Sequence, residues 1–212
     1  MKTIMFFGDS NTWGYDSATG RRYPEDVRFT GIIREKLKDC RIIEEGLKGR
    51  TNSLEDSQEE GKNGYKALPM LLCTHDPIDI FVIMLGTNDV KRAFNCSAFE
   101  IAKALERNVN LVQAPQFWDA VQAPRILIIS PPGVTEDFRN DHNMSGNFDI
   151  RSVEISKELA EEYQRVARTH DCEFLNAMDY TGPGQRDGVH LDEDGHARLA
   201  RALEDKLREM LG

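Results

Sequence analysis

Residues 3–12 read Thr3-Ile-Met-Phe-Phe-Gly-Asp-Ser-Asn-Thr12, an apolar run that stops abruptly at Gly8-Asp9-Ser10. A short, nearly continuous apolar stretch closed by glycine is the pattern of a strand buried on both faces. Runs of the same kind recur at 41–45, 78–85, 125–130 and 173–176, the longest reading Ile-Asp-Ile-Phe-Val-Ile-Met-Leu. Amphipathic stretches stand between them. Thr30 is placed to cap a helix carrying Ile33 and Leu37, and Ser97 with Glu100 forms a capping box ahead of Ile101, Leu105 and Val109. Residues 153–170 and 194–211 each carry an apolar stripe at helical spacing. Strands alternating with helices imply an α/β fold: a three-layer α/β/α sandwich on a five-stranded parallel, flavodoxin-like sheet of order 2-1-3-4-5. The 212 residues read as one domain, 1–212, with no repeat or linker.

A formal charge of −9 argues against a nucleic-acid partner, which needs a basic face. The opening apolar run is too short for a secretory leader. No stretch approaches the ~20 residues of a membrane span. The four cysteines, Cys40, Cys73, Cys96 and Cys172, are scattered without a Cys-x-x-Cys pair, as free thiols in a reducing, cytoplasmic setting would be. Cys73 and His75 would diverge on a helix, which disfavours a cysteine nucleophile.

Sites in open parallel sheets form beyond the carboxyl ends of the strands. Gly8-Asp9-Ser10-Asn11 follows the first strand, Gly46 to Gly49 the second, and Gly86-Thr87-Asn88-Asp89 the third, while Asp187-Gly-Val-His190 lies after the fifth. Gly-Asp-Ser alone is equally a turn and helix cap. Combined with His190, and with Asp187 three residues earlier to orient it, Ser10 becomes a candidate nucleophile with its own base. The Ser10 and Gly49 backbone N–H groups and the Asn88 amide are candidate oxyanion donors, and Trp13 and Phe94 candidate pocket walls. Asp89 reads as a turn or cap acceptor. Asp187 to His196 lacks the oxygen spacing of a calcium loop, so neither metal nor other cofactor is expected. The aperiodic stretches 14–29 and 133–150 are candidate pocket rims.

These four blocks, in this order and almost from end to end, resemble those of the SGNH (GDSL-type) hydrolases. Within that family the chain is most similar to the arylesterase-type acyl transferases, through Phe7-Gly-Asp-Ser-Asn-Thr-Trp-Gly14, Glu44-Glu-Gly-Leu-Lys-Gly-Arg-Thr-Asn52 and Ile83-Met-Leu-Gly-Thr-Asn-Asp-Val-Lys91. The resemblance implies Ser10 as nucleophile, His190 as base, Asp187 as its partner, and Ser10, Gly49 and Asn88 as the oxyanion hole. It also implies a homo-oligomer. The family's leucine after the serine is Asn11 here, and 113–121 and 133–150 depart from its pattern. The expected activity is hydrolysis of small carboxylic esters through an acyl-serine, with acyl transfer to alcohols as a variant. Two rivals are a carbohydrate O-acetylesterase and a non-catalytic flavodoxin-like module in which Asp9 and Asp89 hold a cation or a partner.

Overall fold

A computed structural model describes residues 1–118 and 123–212; part of the divergent stretch 113–121 therefore lies outside the described residues. The strands β1 (Lys2–Gly8), β2 (Cys40–Gly46), β3 (Ile80–Met84), β4 (Arg125–Ser130) and β5 (Glu173–Asn176) form a parallel sheet in the order β2-β1-β3-β4-β5. Both the pairing and the order are those expected. Gly8 is in register with Gly46 on one side and Met84 on the other. The first three strands consequently end level, and the loops that follow them leave from one line.

The helices are α1 (Ser10–Trp13), α2 (Phe29–Lys36), α3 (Gly64–His75), α4 (Ala98–Gln113), α5 (His142–Asn147), α6 (Ile150–Thr169) and α7 (Glu193–Leu211). Side chains alternate across the pleat. Met5, Phe7, Phe81, Ile83, Ile126 and Ile128 face a core shared with α3, α4 and α6. Ile4, Phe6, Ile80, Val82, Leu127 and Ile129 face a second core with α2 and α7. Burying each such side chain contributes about 1.5–3 kcal/mol, and burial on both faces is why these strands lack polar alternation.

The capping box at Ser97 forms: Ser97 Oγ accepts the Glu100 N–H at 3.3 Å, and the Glu100 carboxylate accepts the Ser97 N–H at 2.8 Å. Thr30 does not cap α2. The cap position is Arg28, which makes no side-chain capping bond, and Thr30 is buried inside the helix. Arg28 instead directs its guanidinium to Glu44 on β2. Stretch 133–150 is not a bare loop, for it holds a short 3-10 helix (Glu136–Asn140) and α5.

Candidate active site

The turn from β1 into α1 is tight: a Cβ on Gly8 would stand 2.0 Å from Thr12 Oγ1. Asp9 caps α1 by accepting the Asn11 N–H at 2.9 Å. Burial pushes its carboxyl above its ordinary value, against the pull of that bond. The turn leaves Ser10 at the first position of α1, facing the end of the sheet.

The loop ahead of α7 brings the other two groups. His190 Nε2 lies 3.0 Å from Ser10 Oγ, and His190 Nδ1 lies 2.6 Å from Asp187 Oδ2. Asp187 Oδ1 also accepts the N–H groups of Val189 and His190 at 3.1 and 3.0 Å. Burial opposes the charge of Asp187, but the His190 hydrogen bond, the imidazole charge and these two N–H groups outweigh it. The carboxyl is held below its usual range. A fixed anion at Nδ1 selects the tautomer whose Nε2 can take a proton from Ser10. Tyr15 covers the imidazole, its ring centroid 4.4 Å away and tilted by 47°.

Gly49 has a φ of +80°, which a side chain would strain. Neither its N–H nor that of Ser10 donates to a backbone carbonyl among the described residues. Asn88 donates one amide hydrogen to the Arg50 carbonyl at 3.1 Å, leaving the second. Arg50 is buried beneath the site. Its guanidinium donates to the Gly8 carbonyl at 3.0 Å and to that of Glu45, and lies 4.3 Å from the Phe7 ring centroid. Burial lowers it to about 10. Asp89 is also fully buried, and both its oxygens accept the Asn52 N–H, at 3.0 and 3.1 Å. It braces the loop after β2. Neither Asp9 nor Asp89 reaches the cleft, which weakens the cation-binding alternative.

Ser10, Gly49, Asn88 and His190 line one open cleft of about 430 Å³. Trp13 and Phe94, the expected walls, do not line it. Trp13 packs its backbone where a Cβ on Gly46 would clash. Tyr15, Met144 and Phe148 supply the apolar and aromatic surface, while Lys48, Gln58, Lys62 and Lys91 supply much of the polar rim. Stretches 14–29 and 133–150 both reach the cleft, as expected. Gln58, Glu59 and Lys62, from the loop before α3, were not legible as rim. The useful signal for Tyr15 and Lys48 was proximity in sequence to Ser10 and Gly49.

A serine, an imidazole and a carboxylate are thus joined in one hydrogen-bonded chain at the carboxyl ends of the strands. The profile of the GDSL-like Lipase/Acylhydrolase family matches residues 6–198. A carbohydrate acetylesterase family member from Sinorhizobium meliloti is 37% identical, with a TM-score of 0.93 and 100% of both chains covered. The native M. smegmatis aryl esterase is 33% identical over 99% of this chain and 100% of that one, with a TM-score of 0.91. No curated protein is matched significantly by the sequence. The chain belongs to the GDSL-like lipase/acylhydrolase family, the SGNH hydrolases.

Proposed function

We propose that the protein hydrolyses short-chain carboxylic esters with Ser10 as nucleophile, His190 as general base and acid, and Asp187 as the group that orients the imidazole and stabilises the imidazolium formed when it takes the Ser10 proton. The observation that carries this reading is the unbroken contact from Asp187 Oδ2 through His190 to Ser10 Oγ. Ser10 Oγ attacks the ester carbonyl carbon as His190 Nε2 removes its proton. The oxyanion is received by the Ser10 and Gly49 N–H groups and the second Asn88 amide hydrogen, each such donor lowering the barrier by roughly 3 kcal/mol. His190 then protonates the departing alcohol, leaving acyl-Ser10. Water, deprotonated by the same nitrogen, releases the acid. A small alcohol entering in place of water would give acyl transfer. Replacing Ser10 by Ala is expected to abolish p-nitrophenyl acetate hydrolysis with the circular dichroism spectrum retained; an active variant would overturn the assignment.

A carbohydrate O-acetyl ester is the second reading. Gln58, Asn143 and Asn147 along the cleft favour it, because their amides suit a hydroxyl-rich alcohol. Turnover of acetylated sugars against aryl acetates separates the two. The reading extends to a catalytic domain spanning 1–212, supported by helices on both faces of one sheet. It includes a reducing, cytoplasmic setting, supported by four free thiols, and assembly as a homo-oligomer, to be tested by sedimentation. Among the described residues no helix is long and apolar enough to cross a membrane.

A further inference from the structure

The chain carries a formal charge of −9, yet its cleft has the opposite bias. The lysines and carboxylates lining it are Lys48, Lys62 and Lys91 against Glu59. Two of these cations are already engaged. Lys62 Nζ lies 2.9 Å from the Glu59 carboxylate and donates to the Lys48 carbonyl at 2.8 Å. Lys91 Nζ lies 3.5 Å from the Asp56 carboxylate. Lys48 differs, since no carboxylate among the described residues approaches its ammonium within ion-pair distance.

Aromatic rings hold that ammonium instead. It stands 4.9 Å from the centroid of Trp13 and 5.7 Å from that of Tyr15. Tyr15 is the ring packed on His190, so the free cation sits one aromatic ring from the base. Lys48 also immediately precedes Gly49, an oxyanion donor in the mechanism above. The negative face of an aromatic ring attracts an ammonium without neutralising it. The charge therefore remains available to a ligand, and Trp13 acquires a role at the cleft without lining it.

We infer that Lys48 determines specificity, selecting esters that bear a carboxylate close to the scissile bond. This rests on the esterase reading and names its substrate class. An unpaired cation in a cleft of an otherwise acidic protein favours an anionic ligand both in encounter and in the bound complex. A neutral ester of the same shape gains neither.

Two matched pairs of esters test this. Para-acetoxybenzoate against its methyl ester places the carboxylate on the alcohol side. The p-nitrophenyl hemisuccinate against p-nitrophenyl butyrate places it on the acyl side. Rates are measured for the wild type, Lys48→Met and Lys48→Arg. In at least one pair the anionic-to-neutral ratio of kcat/KM is expected to fall about tenfold in Lys48→Met, through KM, and to be recovered in Lys48→Arg. Added salt should lower the wild-type ratio more than that of Lys48→Met. The responding pair identifies the side that bears the carboxylate. A ratio unmoved by Lys48→Met in both pairs overturns the inference even while neutral esters turn over. Absence of Ser10-dependent turnover on every ester would instead overturn the parent reading.

Discussion

The Leu191 N–H donates to the Asn11 carboxamide oxygen at 2.9 Å, a bond spanning 180 positions of sequence. The same carboxamide donates to the Val189 carbonyl at 3.3 Å. Both neighbours of His190 are thereby tied to the residue that follows Ser10. Ser10 and His190 are held in register by one buried side chain, so their 3.0 Å separation does not depend on the loop alone. The leucine typical of the family at this position could make neither bond.

Asn11→Leu should therefore act on kcat rather than KM. Loosening the His190 backbone is expected to lower kcat by roughly 10- to 100-fold, the scale of a small misplacement. The unpaired Leu191 N–H should cost about 1–3 kcal/mol of stability. Asn11→Asp retains the acceptor and should fall between the two. Steady-state kinetics alongside urea unfolding checks this, and a folded Asn11→Leu with wild-type kcat would contradict it.

Asp187→Asn removes the anion that fixes the imidazole while preserving much of the shape. A loss of roughly 10³–10⁴ in kcat is expected, with little change in KM. Because the Asp187 carboxyl is held low, its contribution to folding is complete above the ordinary carboxylate range. It is lost only as pH falls through the depressed folded value.

Asp89 should give the opposite sign. Burial pushes it from 3.8 to about 7, against the Asn52 hydrogen bonds and with help from the nearby charge of Asp9. Its favourable contribution is complete below the unfolded value and disappears as pH rises through about 7. Asp89→Asn cannot ionise. Between about pH 4 and 7 its urea midpoint should lose less ground than that of the wild type. Parallel curves for the two proteins would contradict the assignment.

Glu44 sets part of the acid limit. It takes Arg28 Nε at 3.0 Å and Nη2 at 2.9 Å, with Arg22 and Arg34 at 3.2 and 3.4 Å. Burial resists its charge, but Arg28 and its neighbours prevail and hold it at about 2. This stabilisation is present above 4.5 and lost as pH falls through about 2. Glu44→Gln leaves Arg28 buried without its partner. About 3 kcal/mol of destabilisation is expected near neutral pH, shrinking in acid, by urea denaturation.

The strands and the meeting of Ser10, His190 and Asp187 were legible because each follows from residue type and local pattern. Ile80 to Met84 has no exposed face, and Ser10, Asp187 and His190 are the residue types that acyl chemistry requires. Order along the sheet then put them on one edge. What escaped depends on contacts between distant segments. Asn11 is chemically unremarkable until the loop after β5 folds over it, and Arg50 until Phe7 and the Gly8 carbonyl surround it. Trp13 is a candidate pocket wall as an aromatic side chain. The turn of α1 instead carries it to the β2 side, where its ring lies under Lys48 and Arg22. Thr30 looked like a cap because hydroxyls usually cap helices. In the structure Arg28 holds the cap position and Phe29 opens the helix, so Thr30 already lies within its first turn.

Trapping the acyl-enzyme tests the central claim most directly. The protein is mixed with p-nitrophenyl acetate, quenched in acid within the first turnovers, digested and read by mass spectrometry. An acetyl adduct on the peptide containing Ser10, absent from Ser10→Ala, is the expected result. Continued turnover with the acetyl group on another residue would contradict it.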